Sequence, residues 1–175
     1  MKGVRPKLAR VITTRRVVRG AIVAALYAAL TMALAPISYG PIQFRVSEAL
    51  KPLVIWFPDA IFGIAFGTVV ANLVSPYVGV WELVFMPFTD FAGGVLCWWL
   101  GRLSPWLGVT IYALTTAASV SLMINVLTAM PFLPLFASIG TSELILLVGG
   151  LPLMRFITRR LAQLAPDLFN GRVAK

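Results

Sequence analysis

Three glutamates, Glu48, Glu82 and Glu143, border long apolar runs, and the first belongs to a polar stretch, Gly40 to Leu50 (GPIQFRVSEAL), that also carries Gln43, Phe44 and Arg45. A carboxylate among apolar residues accepts two parallel N–H donors or offsets a cationic group. Gln43, Asn72 and Asn125 both donate and accept. Phe44, Tyr77, Trp81 and Phe85 offer flat faces; stacking of a base on such a ring is worth about 1 to 3 kcal/mol. Phe85 follows Glu82 by three positions, so the two share a helix face. These residue types suit the capture of a small planar ligand.

They do not suit catalysis. The chain has no His and one Cys, so a His-based triad or metal site and an internal disulfide are excluded. Cys97 lies in Leu96-Cys97-Trp98-Trp99 and reads as packing. No GxxxxGK[ST] loop is present, so ATP is not handled by the P-loop route. A membrane enzyme using outward carboxylates as acid and base is a weaker alternative, because no nucleophile accompanies them. No enzyme activity, metal or cofactor is expected.

The elements that must position these groups are membrane spans. Of 175 residues, 59% are hydrophobic and only 12% charged, and mean hydropathy is +0.91. The apolar runs are interrupted at roughly 20-residue intervals and lack a period of two, which points to an all-α integral membrane protein and not a barrel. Pro, Gly and charge clusters predict spans near Val17 to Ala35, Ser47 to Phe57, Asp59 to Val74, Trp81 to Leu100, Trp106 to Leu127 and Phe136 to Ile157. The second is short, which leaves open a five-helix reading with a re-entrant element.

Charge favours six. Lys2, Arg5, Lys7, Arg10, Arg15, Arg16 and Arg19 flank the first span, and Arg155, Arg159, Arg160, Arg172 and Lys175 follow the last. The positive-inside bias puts both ends in the cytoplasm, which an even number of crossings requires. Arg102 then also lies inside, leaving Arg45 and Lys51 toward the outside. The expected organisation is a basic cytoplasmic segment over 1–16, a six-helix bundle with a long first extracellular loop over 17–160, and a cytoplasmic tail over 161–175. Ala33-Leu34-Ala35 imitates a signal-peptide cleavage site, but the apolar run is too long and Pro36 follows it, so a retained first helix is expected. The pI near 10.7 reflects basic span ends and lipid headgroups; no nucleic-acid partner is expected.

This topology gathers polar residues at the outer level: Arg45, Ser47, Glu48, Asn72, Ser75, Tyr77, Trp81, Glu82, Asn125, Thr128, Thr141, Ser142 and Glu143. Ionisable groups at membrane depth face a cavity or a partner, and here three outward glutamates face two outward cations. Ser47, Ser75, Thr128 and Thr141 read equally as ordinary helix-end residues. Asp90, roughly 12 Å below Glu82 at the helical rise, lines a cavity floor or is neutral or paired within the bundle, the structural role being slightly preferred.

GPIQFRVSEAL, preceded by Ala24-Ala25-Leu26-Tyr27-Ala28-Ala29-Leu30-Thr31 and Ala35-Pro36-Ile37-Ser38, resembles the QueT family of queuosine-precursor transporters over about residues 17 to 160. The resemblance implies the substrate-binding S component of an energy-coupling factor (ECF) transporter in the bacterial cytoplasmic membrane. Its ligand would be a 7-deazaguanine such as queuine or its aminomethyl or cyano precursor, and its partners a transmembrane T component and two ATPases. An S component for another vitamin-like molecule is the alternative, since fold does not fix function. The resemblance also implies docking of the T component on small residues of the first helix, here Ala21, Ala25, Ala28 and Ala29, whose spacing admits a close helix approach; packing within the chain is the competing reading. Gly63, Gly67 and Ala71 form a similar stripe for which internal packing is favoured. Arg45 either contacts a ligand carbonyl or, preferably, pairs with Glu48 and holds the loop, leaving Glu48 as the leading ligand carboxylate.

Overall fold

The computed structural model describes residues 14–40 and 43–165; Lys2, Arg5, Lys7, Arg10, Arg172 and Lys175 lie outside them. Among the described residues there is no strand. Helix α1 (Thr14–Ala33) is followed by a single turn, α2 (Ala35–Ser38), then a 3-10 helix (Val46–Ile55), α3 (Asp59–Asn72), a π turn (Trp81–Phe85) leading into α4 (Met86–Leu100), α5 (Pro105–Thr128) and α6 (Phe132–Leu164). Four helices, with α4 counted from Trp81, are long and apolar enough to cross a membrane; α3 has 14 residues and the 3-10 helix ten. At about 1.5 and 2.0 Å rise per residue, each short element spans only about 20 Å. The helices overrun the expected domain limits: α1 begins at Thr14, inside the segment read as 1–16, and α6 continues to Leu164, inside the tail read as 161–175.

Close approaches fix the directions. A Cβ on Gly63 would meet the Gly20 carbonyl at 2.5 Å and one on Gly67 the Ala24 carbonyl at 2.9 Å, so α1 and α3 touch backbone to backbone and run parallel. Here the Gly63, Gly67, Ala71 stripe packs internally. Arg19 of α1 and Asp59 at the start of α3 form a paired 2.8 Å bridge that sets those two ends level. The chain between α1 and α3 must therefore return the length of the bundle, and the 3-10 helix makes that return through its middle, touching α1, α3, α4, α5 and α6. Asn72 meets Glu82 and Ile61 meets Gly94, so α3 and α4 are antiparallel. The 3-10 helix and α4 thus run opposite to α1 and α3.

The 3-10 helix suits that central position. Pro52 supplies no N–H, and at three residues per turn positions i and i+3 eclipse. Arg45, Glu48, Lys51, Val54 and Phe57 are spaced by three, and all are buried.

Polar residues are inside and apolar ones outside. Thr31, Ser47, Glu48, Lys51, Thr68, Asn72, Glu82 and Asp90 are all 2% exposed or less, while Phe62, Phe66, Val84, Phe88 and Trp99 are at least 60% exposed. A water-soluble bundle would aggregate through such a surface. The distribution is that of a membrane protein.

Candidate functional site

Two buried ionic clusters sit side by side in the half of the bundle away from the Arg19–Asp59 bridge. The first centres on Lys51, which is fully enclosed. Its Nζ contacts Glu48, lies 2.7 Å from Asp90 Oδ1, donates to Thr116 Oγ1 at 3.0 Å and sits 4.6 Å from the centre of the Tyr112 ring. Glu48 accepts from the Tyr27 hydroxyl, Asp90 from Thr68 Oγ1 at 2.6 Å, and the Tyr112 hydroxyl donates to the Asp90 carbonyl at 2.8 Å. Thr31 and Ser47 hydroxyls meet at 2.6 Å just above. Five elements thus converge on one ammonium.

The second cluster centres on Arg45. Its Nη2 lies 3.7 Å from Glu82 Oε1, and its guanidinium donates to Ser38 O at 3.3 Å, Asn72 Oδ1 at 3.4 Å and Gln43 Oε1 at 3.4 Å. It also sits 5.1 Å from the Tyr39 ring centre, and the Tyr39 hydroxyl donates to Ala71 O at 2.6 Å. One fork therefore ties the first loop to the end of α3 and to the π turn that leads into α4. Gln43 adopts a φ of 53°, a left-handed conformation uncommon for a side chain larger than glycine. The buried Gln43 amide accepts from Arg45, a polar contact glycine would not make there.

Glu82 lies in the π turn, where the Met86 N–H reaches back to Trp81 O and Pro87, next in sequence, offers no N–H. Asn72 Nδ2 donates to the Glu82 carbonyl at 3.0 Å. Trp81 and Phe85 meet edge to face, centroids 5.1 Å apart, against the Met86, Met123 and Ile139 cluster. Phe44 packs instead on the other core cluster, with Val54 and Leu147.

Glu143 stands apart. It is 2% exposed, and its Oε2 has no hydrogen-bond partner among the described residues. Seven residues on, Gly150 brings α6 to within 2.8 Å of the Ala49 carbonyl for a built Cβ, so the face of α6 carrying Glu143 lies against the 3-10 helix.

Several expectations are corrected. Arg45 pairs with Glu82 and not with Glu48, because the three-residue repeat stacks Glu48 onto Lys51 while Arg45, at the helix entrance, faces α3 and the π turn. Asp90 is paired. Asn125 donates to Met130 O at 2.6 Å beside the left-handed Ala129, Thr128 and Thr141 are exposed and bond their own helix backbones, and none joins either cluster. Tyr77 is half-buried, its N–H capped by Ser75 Oγ at 3.1 Å. On α1, Ala21, Ala25 and Ala29 are exposed, but Ala28 turns into the core, so the outward stripe excludes it. Ala21 also lines a lipid-side groove of about 620 Å³ between α1 and α3. Lys51, Tyr27, Tyr39, Thr68, Tyr112 and Thr116 were not singled out from sequence; the Arg45, Glu48, Lys51 spacing next to Pro52 was the signal for Lys51.

Comparison with known proteins adds an independent line. A family model described as QueT transporter matches residues 17–159. The queuosine precursor transporter QueT of Lactococcus lactis subsp. cremoris (strain MG1363) is 47% identical over 64 residues, covering 35% of this chain and 38% of that relative. The aligned stretch thus spans little more than a third of the relative's length. No solved structure matches significantly.

Proposed function

The chain belongs to the QueT transporter family, and from that premise we propose that it is the substrate-binding S component of an energy-coupling factor transporter that imports a queuosine precursor. The observation that carries the reading is the pair of buried ionic clusters, assembled from five elements inside a bundle whose outer surface is apolar. Ionisable groups are costly at membrane depth and are kept there for a ligand or ion path. With no P-loop in the sequence, the energy for transport comes from separate ATPase subunits and a T component.

The chain crosses the membrane six times with both termini cytoplasmic. The alternating directions of α1, the 3-10 helix, α3 and α4 support this, as does the gathering of Arg15, Arg16, Arg19, Arg102, Arg155, Arg159 and Arg160 at the ends of the long helices. The ten-residue 3-10 helix is tolerated because it is surrounded by protein. The ligand enters from outside, and the described part of the first loop, residues 36–40 and 43–45, closes over it, held by Arg45. Gln43, Phe44, Asn72, Trp81, Glu82, Phe85 and Glu143 form the surroundings of the ligand; Tyr77 lies at the rim. The exposed Ala21, Ala25 and Ala29 face of α1 meets the T component.

Binding of queuine, its aminomethyl precursor and guanine to the purified chain in detergent tests the proposal. Saturable binding of a 7-deazaguanine in preference to guanine, without competition by riboflavin, biotin or thiamine, is expected. Failure of both 7-deazaguanines to bind overturns the substrate; displacement by one of the vitamins reassigns it.

A further inference from the structure

The buried half of the bundle holds four carboxylates, Glu48, Glu82, Asp90 and Glu143, and two cations, Arg45 and Lys51, each 4% exposed or less. The cations are committed. Lys51 lies between Glu48 and Asp90, and Arg45 lies against Glu82. Glu48 and Asp90 are further held by the Tyr27 and Thr68 hydroxyls. Oxygens of all four carboxylates are buried without a hydrogen-bond partner, but Glu48, Asp90 and Glu82 each lie against a cation, whereas Glu143 has no ion pair among the described residues. An ionised carboxylate left that way is strongly disfavoured, and buried polar groups are otherwise almost always satisfied.

We infer that Glu143 is the carboxylate kept for the ligand, receiving its cationic or paired N–H group, while Glu48 and Asp90 are the fixed counter-ions of Lys51. This rests on the reading of the bundle as a ligand-binding transporter component, and it moves the leading ligand contact from Glu48 to Glu143. Position supports it. Glu143 lies two helical turns from the Ala49–Gly150 contact, on the α6 face packed against the 3-10 helix. It experiences the charges of Glu48, Lys51, Asp90 and Arg45 without pairing with either cation. The excess of carboxylates over cations selects a molecule that brings positive charge or two adjacent N–H donors, such as a guanine-type edge or an aminomethyl group.

The test uses the full chain in detergent, as wild type, Glu143→Gln and Glu48→Gln. Without ligand, Glu143→Gln should leave Tm unchanged or raise it because Glu143 has no ion pair to lose, and Glu48→Gln should lower it because it removes one of the two carboxylates that hold Lys51. A fall in Tm for Glu143→Gln overturns the inference. With aminomethyl and cyano 7-deazaguanines, Glu143→Gln should weaken binding at least tenfold. Loss confined to the aminomethyl compound sets Glu143 against the ammonium, and equal loss for both sets it against the N–H edge of the ring. Unchanged affinity for both overturns the assignment. If the wild type binds neither compound, the substrate reading fails, and the ligand-free Tm still decides whether Glu143 is the uncompensated carboxylate.

Discussion

Replacing Lys51 with Met keeps most of the side-chain volume and removes one charge from the centre of the bundle. Lys51 Nζ contacts Glu48 and lies 2.7 Å from Asp90, with no solvent exposure. At an effective dielectric of about 20, a pair at 2.7 Å gains roughly 6 kcal/mol before desolvation. Burying the ammonium cancels several kcal/mol of that, and removing one partner of a buried pair costs a net ~3–5 kcal/mol because the remaining charge is stranded. Two stranded carboxylates place Lys51→Met at the upper end of this range. For a chain of this size each kcal/mol moves Tm by about 2–4 °C, so a fall of ~10–20 °C is expected by thermal unfolding in detergent. The double variant Lys51→Met/Asp90→Asn should recover at least half of the loss, since it removes one stranded charge along with its partner. A loss below about 1 kcal/mol, or a double variant no more stable than the single one, refutes the assignment of Lys51 as the buried counter-ion.

Other perturbations separate the remaining contacts. Asp59→Asn breaks the paired 2.8 Å bridge to Arg19, whose side chains keep 14% and 12% exposure, so water reaches the guanidinium left behind and the cost should be about 1.5–3 kcal/mol; a Tm loss matching that of Lys51→Met would contradict the distinction. Gly63→Ala forces α1 and α3 apart, since its Cβ meets Gly20 O at 2.5 Å, and should cost about 1–3 kcal/mol. Gly149→Ala meets nothing within 4 Å and should be neutral or gain up to ~1 kcal/mol, so the two variants must shift Tm in opposite directions or nearly so. Arg45→Lys cannot reach Ser38, Gln43, Asn72 and Glu82 together; ligand dissociation should quicken at least tenfold in a stopped-flow or dilution assay, and an unchanged rate removes the loop from the closed state. Ala25→Trp on the exposed face of α1 should leave ligand binding intact and abolish co-purification with the T component and ATPases; retained assembly excludes that face.

Much of the architecture was legible because membrane insertion is governed by local quantities. The apolar runs, their Pro and Gly breaks and the basic ends gave every long element, with the last helix extending from Phe132 to Leu164 instead of Phe136 to Ile157. The small-residue stripes were legible as contact faces, but only the packed bundle separates Ala28, which points inward, from Ala25, which does not. Asn125 looked like a site residue because it lies at a helix end near the expected level, whereas the left-handed turn at Ala129 binds it to its own loop.

The sequence by itself determined that this is a helical membrane protein resembling one family, with three glutamates against two cations expected at its outer level, because hydropathy, length and charge count do not depend on partners. Tertiary structure decided which charges meet. Lys51 and Asp90 are 39 positions apart and Arg45 and Glu82 37, so no local period relates them. The 3-10 repeat of three, not the α-helical 3.6, turns Glu48 and Lys51 onto one edge and brings Lys51 to Asp90. Glu143 becomes conspicuous only after those pairings are known, since an unpaired charge is defined by what its neighbours have already bound.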